Sequence, residues 1–147
     1  MSVTSPGSDV DIVASIGGHV SQTSPASEIT VRVPALADYV SIARHVVAAV
    51  ASRAGASVDD VADLRLIVDE AAARLLSGSE GATSLTVVLG SHGHALEIVA
   101  SVDGTPVGGS GSVLGWRILS TLADRVEEEH DGSGSSIRVV RTLGAGA

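Results

Sequence analysis

The chain has no cysteine among its 147 residues, which excludes disulfides, thiolate nucleophiles and Cys-based zinc sites at once. Lysine, phenylalanine and asparagine are missing as well, a joint gap that a GC-rich coding bias explains more simply than three separate physical demands. With aromatics at 1%, Tyr39 and Trp116 alone, the core has to be assembled from Val, Leu, Ile and Ala, each adding a small burial. The basic residues are nine dispersed arginines against 17 acids, for a net charge of −8. Neutralising phosphates takes clustered positive charge, so direct nucleic-acid binding is disfavoured, while a basic protein partner is allowed. No apolar run approaches the ~20 residues of a membrane span. No Lys or Arg precedes Arg32, so the N-terminus lacks the basic region of a secretory signal, and a cytoplasmic protein is expected.

What is present suffices for one domain. Residues 1–27, rich in Ser, Gly, Pro and Thr, have the composition of a flexible tail, with an apolar island at 10–16 expected to lie loose rather than pair as an edge strand. The expected domain covers 28–143, and 144–147 form a short C-terminal tail. Ile29, Val31 and Val33 alternate with polar residues up to Pro34, the pattern of a half-buried strand. Leu36, Val40, Ala43, Val47 and Val50 recur at three and four, predicting an amphipathic helix over 36–54. Ser57 and Asp60 have the spacing of a capping box, so a second helix starts there, with Val61, Leu64, Val68, Ala71 and Leu75 inward. Two alternating runs, 85–89 and 96–102, predict a hairpin turning at Gly93. After a polar loop over 103–111 come a helix over 113–124, with Leu114, Ile118 and Leu122 inward, and a last hairpin over 125–142. The order β α α β β α β β predicts an α+β fold, a two-layer sandwich with helices on one face of a mostly antiparallel sheet.

Few residues stand out chemically. Glu70, on the flank of the second helix, has the placement of a general base for an attack on phosphate. It also lies four residues before Arg74, so a surface ion pair worth a few tenths of a kcal/mol is the competing account. Gly108 to Gly111 open onto a helix N-terminus, a place for phosphate or merely a connector. His92 and His94 sit at a hairpin tip without a third ligand, so they read as solvated turn residues and no metal site is assigned. No serine falls in a nucleophile-elbow motif.

Taken together, VDDVADLRLIVDEA at 58–71, a hairpin, DGTPV at 103–107 and LGWRILSTLADRVEEEHDGSG at 114–134 resemble the anti-sigma serine kinases that control stress and sporulation sigma factors. These are the RsbW and SpoIIAB type, within the GHKL (Bergerat-fold) ATPase superfamily. The resemblance runs from about residue 29 to 143. It implies a homodimer that sequesters a sigma factor and uses ATP to phosphorylate a serine on an anti-anti-sigma protein. It gives Glu70 the role of general base, Asp103 that of reading the adenine amino group, and Gly115 a place in the glycine box over the phosphates. Arg74, Gly104 and Gly111 complete the implied nucleotide site, and Arg44 matches an arginine that contacts the sigma factor.

The departures matter as much. Arg74 stands where such kinases place a magnesium-binding Asn, and a guanidinium cannot coordinate a cation. The glycines after Asp103 are displaced, Pro106 stiffens the loop, and Val113 replaces the first glycine of the later box. Because phosphoryl transfer depends on metal neutralising the phosphates, the expectation is an anti-sigma factor with weak or absent kinase activity, ATP bound weakly and Mg2+ doubtful. The alternative is an active ATP-dependent serine kinase in which Arg74 supplies the positive charge.

Overall fold

In the computed structural model, residues 10–15, 28–108 and 111–144 are described. Strands β1 (Asp11–Ser15), β2 (Glu28–Pro34), β4 (Ser84–His92), β5 (Ala95–Asp103), β7 (Arg125–Asp131) and β8 (Gly134–Thr142) form one antiparallel sheet in the order β1-β2-β4-β5-β8-β7. Two short strands, β3 (Ser79–Glu80) and β6 (Thr105–Pro106), pair separately. Helices α1 (Val40–Arg53), α2 (Val58–Ser77) and α3 (Val113–Leu122) supply the second layer. The two-layer α/β sandwich expected from the alternation is the architecture found.

One face of the sheet makes the core. Val31, Val33, Leu85, Val87, Leu89, Leu96, Ile98, Ala100, Val102, Ile137 and Val139 are buried against Ala43, Val47, Leu64, Ile67, Val68, Ala71, Leu75 and Leu119 of the helices. The opposite face carries polar residues such as Thr86, Ser101 and Glu129 and has no covering layer among the described residues, which an antiparallel sheet tolerates. At the start of α2 the capping box is complete: Ser57 Oγ accepts from the Asp60 amide and Asp60 Oδ2 accepts from the Ser57 amide, both at 3.1 Å.

Three local expectations need correction. The island in the N-terminal segment does not lie loose over Asp11–Ser15, which pairs in register with β2; the open edge of β2 offers unpaired backbone groups that this short run satisfies. Residue 16 lies outside the described residues. Leu36, placed in the stripe of the first helix, is 57% exposed, because the chain there is extended before a 3-10 turn at Ala37–Tyr39. Leu114, expected inward on α3, is 66% exposed, whereas Leu119 is fully buried. The first turn of α3 thus leaves Val113 and Leu114 uncovered, and the helix ends at Leu122 with Ala123 already extended.

Candidate functional site

The flank of α2 faces the N-terminal turn of α3 across a cavity of about 240 Å³ lined by Glu70, Ala73, Arg74, Ser77, Gly111, Ser112, Gly115 and Trp116. Helical spacing explains the α2 contribution, since 70, 73, 74 and 77 share one side, beside the buried stripe. Ser112 caps α3, its Oγ accepting from the Gly115 amide at 2.7 Å. Gly115 lets α3 come close: a Cβ there would stand 2.8 Å from Glu70 Oε2. Gly111 has φ +98, and a side chain on it would collide with Arg74 Nη1.

The ion pair expected between Glu70 and Arg74 is not formed. Arg74 turns instead to β7, where Nε donates to Glu128 Oε2 at 2.9 Å and Nη2 to Glu128 Oε1 at 3.0 Å. This two-pronged geometry is the strong form of a guanidinium–carboxylate contact. It is also well covered, with the two side chains 21% and 18% exposed. The guanidinium lies 4.8 Å from the centre of the Trp116 ring, adding a cation–π contact. His130 approaches the same carboxylate at 3.8 Å and is held by Ser135 at 2.9 Å. Glu70 is left half-buried, with no hydrogen bond or ion pair among the described residues.

The structure brings Glu70, Arg74, Gly111 and Gly115 to one cavity and places Asp103 and Gly104 elsewhere. Asp103 ends β5, and its carboxylate accepts from the Thr83 amide at 2.7 Å, the Ser84 amide at 3.0 Å and the Thr83 hydroxyl. Burial pushes its pKa up, but these hydrogen bonds outweigh burial and hold it below the ordinary aspartate value. Gly104, at φ +98, packs against the backbone of Glu80 and Ala82, a close approach that only glycine allows. Gly109 and Ser110 of the glycine loop lie outside the described residues, and His92 and His94 are exposed at the β4–β5 turn.

A second groove, about 260 Å³, runs along the other side of α2 between Ala37, Val40, Ser41, Arg44, Asp69, Ala73 and Leu76. In it Arg44 Nη1 donates to both oxygens of Asp69, at 2.9 and 3.0 Å.

Sequence reasoning missed Glu128 and Arg141. Glu128 sits between Val126 and His130 on the helix-facing side of β7, so an acid at an inward position was the available signal. Arg141 Nη2 reaches Asp60 at 2.9 Å and Asp63 at 2.8 Å, and Nη1 donates to the Leu122 carbonyl at 2.6 Å. The Arg141 hydrogen bond, with those from Ser57 and Gly144, overcomes burial and lowers the pKa of Asp60 to about 2.

Comparison with known proteins agrees with the resemblance seen in the sequence. The chain is 28% identical over 125 residues to a serine-protein kinase RsbW of Bacillus cereus strain G9842, covering 71% of this chain and 78% of that protein. It is 34% identical over 79 residues to the protein of the same name from Bacillus cereus strain B4264, covering 52% of this chain and 49% of that one. The chain is a homologue of proteins named serine-protein kinase RsbW. A further RsbW, from Bacillus mycoides strain KBAB4, is 27% identical over 71% of this chain and 78% of its own. No family model matches the chain.

The donor set of the cavity does not fit the magnesium ion that the kinase resemblance implies. Glu70 is its one carboxylate, the neighbouring position is a guanidinium already bonded to Glu128, and hard cations need several oxygen ligands. Among the described residues no three His, Asp or Glu side chains gather in a metal-binding group.

Proposed function

We propose that this chain is an anti-sigma factor: as a homodimer it sequesters an RNA polymerase sigma factor of the stress or sporulation class and is countered by an anti-anti-sigma protein. Its kinase activity is weak or lost. Homology to the RsbW serine-protein kinases supports the family part of this reading. The observation that carries the rest is the Arg74–Glu128 pair, which occupies with an internal salt bridge the position where an active site would need a metal ligand. Asp103, engaged by Thr83 and Ser84 outside the cavity, leaves the adenine end of the implied site without its reader, so ATP binds weakly. Arg44 lines a partly open groove of α1 and α2, which suits it to a protein contact. Among the described residues no helix is long and apolar enough to cross a membrane, and a cytoplasmic location belongs to the proposal.

The test is a calorimetric titration of the purified chain with its cognate sigma factor, with and without ATP and Mg2+. Nucleotide should change the affinity little, and Arg44→Ala should weaken the complex about tenfold, a loss of about 1.4 kcal/mol. Lack of affinity for any sigma factor of this class would sink the proposal. The second reading, an active serine kinase, is favoured by one observation, the Glu70 carboxylate, which has no partner among the described residues. It fails if ATP with Mg2+ yields no phosphoserine on the anti-anti-sigma partner, or if Glu70→Ala leaves labelling unchanged.

A further inference from the structure

The two grooves are not separate features. Both are lined by Ala73, which stands exposed on the crest of α2, so together they form one surface across the helical layer with a low ridge along its middle. Large apolar side chains lie open on this layer: Leu36 before α1, Leu66 one turn ahead of Glu70 on α2, and Val113 and Leu114 at the start of α3. Its charges are unequally satisfied. Arg44 is paired with Asp69 and Arg74 with Glu128, whereas Glu70, half-buried, has no ion pair or hydrogen bond among the described residues. Among the described residues at the cavity, the single positive charge of Arg74 faces both Glu70 in the lining and Glu128 behind it, a balance that disfavours a phosphate and favours a cation.

We infer that the crest of α2 is a docking surface for an amphipathic segment of a protein partner, and that one arginine or lysine of that segment enters the cavity to pair with Glu70. Ala73 lets the partner backbone approach closely, as small residues do at helix–helix contacts. Leu66, one turn before Glu70 on α2, and Leu114, next to Gly115 on α3, are exposed and give aliphatic neighbours of the basic residue something to cover. The cation meets Glu70 beside Trp116, the one tryptophan of the chain. In this role Glu70 is a receptor for positive charge, which is independent of any phosphoryl transfer. The inference rests on the proposed function only in using the sigma factor as its protein probe.

Two arms test it on the full chain. In the first, Trp116 fluorescence is followed while agmatine, a guanidinium on a four-carbon stem that ends in a second, ammonium charge, is added, with neutral n-butylurea and metal-free tripolyphosphate in parallel. Agmatine should give a saturable change in the millimolar range, n-butylurea none, and Glu70→Gln should raise the agmatine midpoint about tenfold. A response to tripolyphosphate rather than agmatine, or none to agmatine, overturns the cation site. In the second arm, Ala73→Trp and Glu70→Gln, each checked for an unchanged circular-dichroism spectrum and melting temperature, are titrated with the cognate sigma factor. Each should weaken the complex about tenfold. Unchanged affinity in both variants refutes the docking surface and leaves the proposed function standing. Absence of binding by the unaltered chain refutes the proposed function, and the agmatine arm then decides the Glu70 site alone.

Discussion

The contact between Arg74 and Glu128 joins α2 to β7 across 54 residues of sequence, and its strength can be worked from its surroundings. Replacing Arg74 with alanine leaves the Glu128 carboxylate, 18% exposed, with His130 at 3.8 Å as its one remaining ion-pair neighbour among the described residues. Breaking a fully buried pair costs about 3–5 kcal/mol. Because one-fifth of each side chain still sees water, the lower end applies, and the lost stack on Trp116 adds about 0.5–1 kcal/mol. Arg74→Ala should therefore destabilise the fold by about 3.5–4 kcal/mol. Glu128→Gln keeps the shape and one acceptor and should cost about 2 kcal/mol. In the double variant neither charge is stranded, so the coupling energy should be about 2 kcal/mol. Urea unfolding followed by far-UV circular dichroism measures all three variants without relying on Trp116, whose surroundings the mutations change. High salt should leave most of the coupling in place, since water and ions are largely kept from the pair. A coupling below about 0.5 kcal/mol, the size of an exposed pair, would refute the reasoning. Arg74 would then be free in solution to meet a phosphate, and the kinase reading would gain ground.

The buried Asp60 supplies a pH test: its pKa, lowered from 3.8 to about 2 by Arg141, corresponds to about 2 kcal/mol of stability. The sign follows from the depressed value. The contribution is complete above the unfolded pKa near 3.8 and is lost as pH falls through about 2, so Asp60→Asn should cost about 2 kcal/mol at pH 7 and progressively less below pH 4 in urea titrations; a gap that does not vary with pH would contradict it. At Gly104 an added Cβ would stand 2.8 Å from backbone atoms of Glu80 and Ala82 at a φ of +98, so Gly104→Ala should cost about 2–3 kcal/mol. Gly93→Ala, at φ +60 with open space around it, should cost only about 1 kcal/mol in the same assay. Arg74→Asn, which restores an oxygen ligand, should still give no magnesium-dependent ATP binding by Trp116 fluorescence, because it strands the Glu128 carboxylate beside the cavity. Magnesium-dependent binding in that single variant would show that Glu128 is no obstacle.

The sheet and the helices that cover it were legible because one face is buried: Leu85, Val87 and Leu89, then Leu96, Ile98, Ala100 and Val102, repeat at two and can satisfy only one register. The start of α2 was legible because the Ser57–Asp60 box is local. The partner of Arg74 was not, since sequence offers the neighbour at i−4 while the folded chain offers a better-covered carboxylate on β7. Leu114 was misplaced for a related reason: its spacing to Ile118 and Leu122 suits an inward face, but nothing in α3 itself shows that its first turn is left uncovered. The edge strand β1 escaped because a five-residue run in polar surroundings has no signal of its own; its pairing depends on the open side of β2. For the site, the residues on α2 and α3 were readable by spacing, whereas the direction of the Asp103 side chain depended on Thr83 and Ser84, 20 and 19 residues earlier.

Position 74 governs both chemistry and surface. An arginine there removes a potential metal ligand, and the positive charge it brings must itself be compensated in a partly covered place. Glu128 provides that compensation, which fixes β7 to α2 and leaves Glu70, the one carboxylate lining the cavity, without an ion pair or hydrogen bond among the described residues. A site meant for triphosphate needs surplus positive charge, yet this cavity ends with surplus negative charge. The same arrangement that weakens the case for phosphoryl transfer makes the flank of α2 a better receptor for a basic side chain, beside exposed Leu66 and Leu114. The proposed recognition of a protein partner and the loss of the metal ligand thus trace to one side chain.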